Sequence, residues 1–233
     1  MAEALALATR FRLPVRVIQT TEFANSGYVA NAADRCYHCK HDLFSHLIPI
    51  AQQQGYATIV YGENASDLGD YRPGAEAAAK SQVRAPLKEA GLTKLEIRAL
   101  SAQLGLPTAD KPQMACLSSR VPYGEPVTTA KLKMIEEAEE VLRRFGLREV
   151  RVRHHQLPAL PGATDRCLAR LELGAEELRR LLSDSGCRQV AEALRRLGYA
   201  HVTLDLEGYR RGSTNEVFAT PIPFAPPDPS LKP

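Results

Sequence analysis

The sequence predicts an α/β protein in which a parallel-sheet, Rossmann-like domain is followed by a small α+β domain. Three observations carry that prediction. Residues 42–54 read as an amphipathic helix, with Leu43, Leu47, Ile48 and Ala51 on one side and Gly55 as the stop. It joins two apolar, β-branched runs at 15–20 and 57–61, and a helix between two such runs is a βαβ unit. Beyond Pro126 the pattern changes to short strands interleaved with helices. A chain of 233 residues with 44% hydrophobic content can bury one good core and a second small one. The expected organisation is therefore a first domain over 1–125, a second over 126–220 and a proline-rich flexible tail over 221–233.

The elements follow in order. Residues 2–12 are Ala/Leu-rich and helical, and Pro14 opens the strand at 15–20. The loop 62–74 follows the carboxyl end of the strand at 57–61, where open α/β sheets bind ligands, so its Gly62, Asn64, Asp70 and Arg72 are candidates for a nucleotide. An ordinary surface loop rich in turn formers would look the same. Residues 93–104 form a helix with Thr93 as N-cap, Glu96 completing a capping box and Gly105 as the stop. In the second domain Thr128 or Thr129 caps a helix over 130–145, ended by Gly146. Strands are expected at 149–153, 167–173 and 201–206 and helices at 175–182 and 188–197, with a Pro/Gly-rich loop over 156–165.

Composition excludes several function classes. Thirty basic against 27 acidic residues give a net charge of +3, too mild to drive nucleic-acid binding. No apolar run is long enough to span a bilayer, and the first residues lack the positive n-region of a signal peptide, so the expected location is cytoplasmic. Five cysteines are an odd number and too sparse for a disulfide scaffold, which fits a reducing compartment with cysteines acting as ligands or nucleophiles.

Three of those cysteines stand in unusual contexts: Cys36 and Cys39 in Asp34-Arg-Cys-Tyr-His-Cys-Lys40, and Cys116 in Ala115-Cys-Leu-Ser-Ser-Arg-Val-Pro-Tyr-Gly124. A three-cysteine iron–sulfur cluster leaves one iron free to bind sulfide and deliver it. A zinc site would need His38 or His41 as fourth ligand, and a redox pair at 36 and 39 lacks the usual strand-to-helix context. Cys167 and Cys187 lie among aliphatics and read as small hydrophobes. Arg151 and Arg153 alternate with Val150 and Val152, so both project from one strand face, towards a phosphate or simply towards solvent. Glu139, Glu140 and Glu172 read on their own as exposed charges.

Together the motifs around Cys36, at 67–74, around Cys116, at Arg151 and Arg153 and at 202–210 resemble, in this order, the LarE sulfur transferases, a family of PP-loop ATP pyrophosphatases. The resemblance implies a reaction in which ATP adenylates a carboxylate of a pyridinium dicarboxylate mononucleotide and sulfur displaces AMP. The product is a thiocarboxylate precursor of the nickel-pincer nucleotide. It also implies a three-cysteine type with a 4Fe-4S cluster on Cys36, Cys39 and Cys116, the last also catalytic, and Mg2+ with the ATP. Ser119, Arg120, Arg151, Arg153, Glu139 and Glu172 are implied around the substrate. A sulfide donor and a homo-oligomer are expected, and no membrane or nucleic-acid partner. The Ser-Gly-Gly-x-Asp-Ser loop that wraps pyrophosphate in the family is absent from this sequence, so an N-terminally truncated, impaired form is expected. The Pro-rich segment over 156–165 departs from the family's pattern beside Glu172. A tRNA-thiolating PP-loop relative and a non-catalytic zinc-binding or assembly subunit stand as alternatives.

Overall fold

The computed structural model describes residues 1–69, 71–112, 114–158, 166–183, 186–210 and 212–213. Asp70, most of the Pro/Gly-rich loop and the tail over 221–233 lie outside the described residues. The chain divides into two units: one comprises 1–29 and 34–97, the other 30–33 and the chain from Arg98 onward.

The first unit is helical. Its elements are α1 (Ala2–Phe11), α2 (Ser26–Val29), α3 (Arg35–Gln53), α4 (Pro73–Lys80) and α5 (Pro86–Glu89). Helix α6 (Lys94–Gln103) begins here and ends in the second unit. The core is formed by Phe44, Ala78 and Val83, against which Leu43, Leu47, Ile59 and Tyr61 pack. The small residues of α4 allow close packing on α3, where Gly74, Ala77 and Ala78 are buried. The capping box of α6 is formed as expected: the Thr93 amide donates to Glu96 Oε2 at 2.8 Å, and the Glu96 amide to Thr93 Oγ1 at 3.3 Å.

Two expectations for this unit change. The helix predicted from residue 42 begins at Arg35, so both Cys36 and Cys39 are helical. The predicted strands are not laid down as strands among the described residues. Residues 57–61 make a single parallel bridge, Val60 to Arg84, in which Tyr61 N donates to Arg84 O and Arg84 N to Ile59 O, each at 3.0 Å. Residues 15–20 have no backbone ladder, and Val15 and Val17 are each 53% exposed. Apolar, β-branched composition makes a segment competent to pair, but a ladder forms only where a neighbour offers its N–H and C=O groups in register.

The second unit is α+β. It contains α7 (Thr129–Arg144), β1 (Val150–Leu157), β2 (Arg166–Leu173), α8 (Ala175–Ser183), α9 (Gly186–Arg196) and β3 (His201–Leu204). Thr128 caps α7 by accepting from the Lys131 amide at 3.2 Å. The mixed sheet has the order β1-β2-β3, antiparallel between β1 and β2 and parallel between β2 and β3. Alternation puts Val150, Val152, Ala169, Leu171 and Leu173 on a face covered by Ala138 and Leu142 of α7 and Val190 and Leu194 of α9. The alternate positions, Arg151, Arg153 and Glu172, are also buried, at 5%, 7% and 1% exposure. That face is not solvated, which excludes the simpler of the two readings of its arginines.

Candidate active site

In the first unit Cys36 and Cys39 occupy the N-terminal turns of α3, both half-buried. Their spacing makes them neighbours on one side of the helix. Packing fixes the turn. The His38 ring lies 3.3 Å from Asp34 and covers Gly27 so closely that a Cβ there would stand 2.5 Å from the imidazole. The Tyr37 and His41 rings stack with centroids 5.9 Å apart, and Lys80 lies over Tyr37. Gly74 is buried against this turn, where a Cβ would meet the Cys36 carbonyl oxygen at 3.4 Å.

The loop after residue 61 is ordered by its own polar groups. Asn64 Oδ1 accepts from the Ser66 amide at 3.1 Å, and Asp67 accepts from the Asn64 amide at 3.2 Å and pairs with Arg72 at 2.6 Å. Gly62 borders open space, with nothing within 4 Å of where a Cβ would be. Glu63 accepts from Tyr61 and pairs with Lys88 at 3.2 Å. Burial works against its charged form, yet the bonds from Tyr61 and Lys88 hold its carboxyl below the ordinary range. Burial and the same carboxylate push the Tyr61 hydroxyl well above its usual value.

In the second unit Cys116 is exposed and stands immediately before a 3₁₀ turn, Leu117–Arg120. Arg120, 1% exposed, holds Glu139 through Nε at 2.7 Å and Nη2 at 3.2 Å. Its Nη1 donates to Ala115 O and Cys116 O, each at 3.1 Å, and lies 2.9 Å from Ser119 Oγ. Ser119 Oγ in turn donates to Cys116 O at 2.8 Å. Arg153 pairs with Glu172 through Nε at 2.9 Å and Nη2 at 2.7 Å, and its Nη1 donates to Ser119 O at 2.6 Å. Arg151 lies over the Tyr209 ring, 4.8 Å from its centroid, and donates to Val150 O at 2.8 Å. Burial first, and then the like charges of Arg120 and Arg153, press its guanidinium below the ordinary value. Three buried guanidiniums thus share the space with two buried carboxylates, Glu139 and Glu172, an arrangement that favours an anion.

Sequence reasoning found these residues but misjudged the environment of two: Glu139 and Glu172 are 0% and 1% exposed. It missed several supports. Arg98 donates to Ala109 O at 3.0 Å and Lys111 O at 2.5 Å, holding the chain ahead of Cys116. Buried Asn31 donates to the carbonyls of Val121, Pro122 and Glu125 at 3.3, 2.7 and 2.9 Å. Neither has a periodicity or motif that marks it. Cys167 is half-buried beside Met134 and Gly198, as a small hydrophobe would be, whereas Cys187, expected to be buried in the same way, is exposed with its thiol 3.1 Å from Leu181 O.

Within each unit, among the described residues, no three His, Cys, Asp or Glu side chains are grouped to hold a metal ion. Cys36 and Cys39 belong to the first unit and Cys116 to the second. Among the described residues no helix is long and apolar enough to cross a membrane.

A solvent-facing cysteine seated on buried arginines and carboxylates has the make-up of an enzyme that handles sulfur beside an anionic substrate. Comparison with known proteins makes this specific: the chain belongs to the LarE family of sulfur transferases. It is 33% identical over 198 residues to the pyridinium-3,5-bisthiocarboxylic acid mononucleotide synthase of Lactiplantibacillus plantarum, covering 84% of this chain and 67% of that protein. It is 42% identical over 217 residues to an uncharacterized protein of Synechocystis sp., covering 93% of this chain and 77% of the other. An uncharacterized protein of Methanocaldococcus jannaschii is 26% identical over 207 residues, covering 89% of this chain and 74% of its own length. No protein-family model matches the chain.

Proposed function

We propose that this chain is a LarE-type sulfur transferase acting on a pyridinium dicarboxylate mononucleotide, towards the nickel-pincer nucleotide, with its ATP step slowed because these residues include no Ser-Gly-Gly-x-Asp-Ser loop. A substrate carboxylate oxygen attacks the α-phosphorus of Mg2+-bound ATP and pyrophosphate leaves. Sulfide then attacks the carbonyl carbon of the acyl adenylate, and the C–O bond to AMP breaks to give the thiocarboxylate and AMP. The observation that carries this reading is the exposed Cys116 beside the buried Arg120, Arg151, Arg153, Glu139 and Glu172.

In this reading Arg151 and Arg153 clamp the substrate phosphate, as the resemblance to the family implies. Ser119 lies beside the reacting carboxylate, while Glu139 and Glu172 hold the arginines. Gly62, Asn64, Asp70 and Arg72 belong to the nucleotide site of a PP-loop domain. Cys36, Cys39 and Cys116 would hold a 4Fe-4S cluster, which when bound supplies an iron site for the sulfur to be transferred. Three thiolate donors rather than four favour the cluster over a structural zinc.

The test is to supply ATP, Mg2+, sulfide and the pyridinium dicarboxylate mononucleotide to anaerobically purified protein. Thiocarboxylate product, together with iron and sulfide near four each per chain, is the expected result. One zinc per chain and no product would overturn the proposal in favour of a structural metal-binding role.

A further inference from the structure

We infer that Arg120 is a positioning residue for Cys116, acting through the backbone of the Cys116 turn and not as a ligand of the substrate. The inference deepens the sulfur-transfer reading and rests on it for the importance of Cys116.

Arg120 Nε and Nη2 are committed to Glu139, and Nη1 to the oxygens of Ala115, Cys116 and Ser119. At 1% exposure the side chain is closed in by protein. Glu139, 0% exposed, is itself fixed, since Oε1 accepts from the Val152 amide at 3.2 Å and Oε2 from Arg143 at 3.0 Å. A continuous set of bonds therefore runs from α7 and β1, through Glu139 and Arg120, to the two carbonyls that flank the Cα of Cys116.

The far end of the turn is held in the same way, by Arg153 on Ser119 O. The carbonyls of residues 115, 116 and 119 are drawn to buried cations, while the Cys116 side chain is exposed. A buried ion pair adds little to stability compared with an apolar pair of the same volume, because desolvation offsets the attraction. What it does supply is geometry: a planar fork can span a carboxylate and two carbonyls, whereas the single ammonium of lysine cannot.

Hydrogen exchange tests this without substrate or cofactor. The Ser119 amide donates to Cys116 O at 3.0 Å and the Val121 amide to Ser118 O at 3.2 Å, so these amides report whether the turn is held. In Arg120→Lys the amides of 117–121 are expected to exchange at least about tenfold faster, with α7 unchanged. The same variant should lower kcat for sulfur transfer by about ten- to a hundredfold, the effect of a misplaced reacting group, with KM for the mononucleotide unchanged. Added guanidinium should restore part of kcat in Arg120→Ala. If instead KM rises, kcat holds and the turn stays protected, Arg120 is a substrate ligand and the inference is overturned.

Should either single variant fold poorly, the double variant Arg120→Met/Glu139→Leu removes both buried charges together. Wild-type exchange of 117–121 in that variant would equally overturn the inference. Failure of the wild-type chain to transfer sulfur would refute the proposed function but leave the exchange comparison valid.

Discussion

At the residue scale, environment separates cysteines that composition alone leaves equivalent. Cys116 is exposed, with its carbonyl held by Arg120 and Ser119, whereas Cys167 packs beside Met134 on the central strand and burial raises its thiol pKa. Cys116→Ala should therefore abolish thiocarboxylate formation, while Cys167→Ala changes only stability, by about 1 kcal/mol. Product assay and urea denaturation of both variants check this, and loss of product in both would show the partition to be wrong. Cys36, Cys39 and Cys116 stand out in the sequence because each lies in a short polar motif. Asn31 and Arg98 were not, because both act on backbone carbonyls, which every residue carries and no sequence pattern distinguishes.

At the element scale, helix α3 shows why the cysteine motif was misplaced. Residues 35–41 lack apolar periodicity, so the pattern suggested a start at residue 42, yet the helix begins at Arg35 with Asp34 in the N-cap position. What holds those first turns is packing against the short helix α2, with the His38 ring laid over Gly27. Gly27→Ala would place a methyl 2.5 Å from that ring and force it aside. We expect a loss of about 1–3 kcal/mol, the usual range for overpacking. In a double-mutant cycle His38→Ala should recover most of it, and additive effects would show that the ring is not the obstacle.

At the scale of the whole molecule, stability is tied to pH through β1. Burial, and then the nearby charge of Lys131, pushes the pKa of His154 down to about 4. Burial and Arg170 lower that of the adjacent His155. A histidine whose folded pKa is depressed takes its proton first in the unfolded chain, so its stabilising effect is complete above about pH 6.5 and is lost as pH falls towards 4. His154 alone should account for about 3 kcal/mol across that window. Unfolding free energy measured from pH 7 to pH 4 should fall less steeply in His154→Phe than in the wild type. Identical slopes would mean that His154 titrates normally.

The sequence by itself determined the α/β class, the order of motifs, the family they resemble, and the helices and strands of the second unit to within a few residues. Those features are set locally, by caps such as Thr93 and Thr128, by glycine stops such as Gly105 and Gly146, and by alternation along β1 and β2. Only the tertiary structure decided that Arg151, Arg153, Glu139 and Glu172 are buried together and that residues 15–20 find no ladder partner among the described residues. The physical reason is common to both. Burial of a charge and pairing of a strand depend on which distant groups arrive beside them, and alternation along one segment specifies its two faces without saying what covers either.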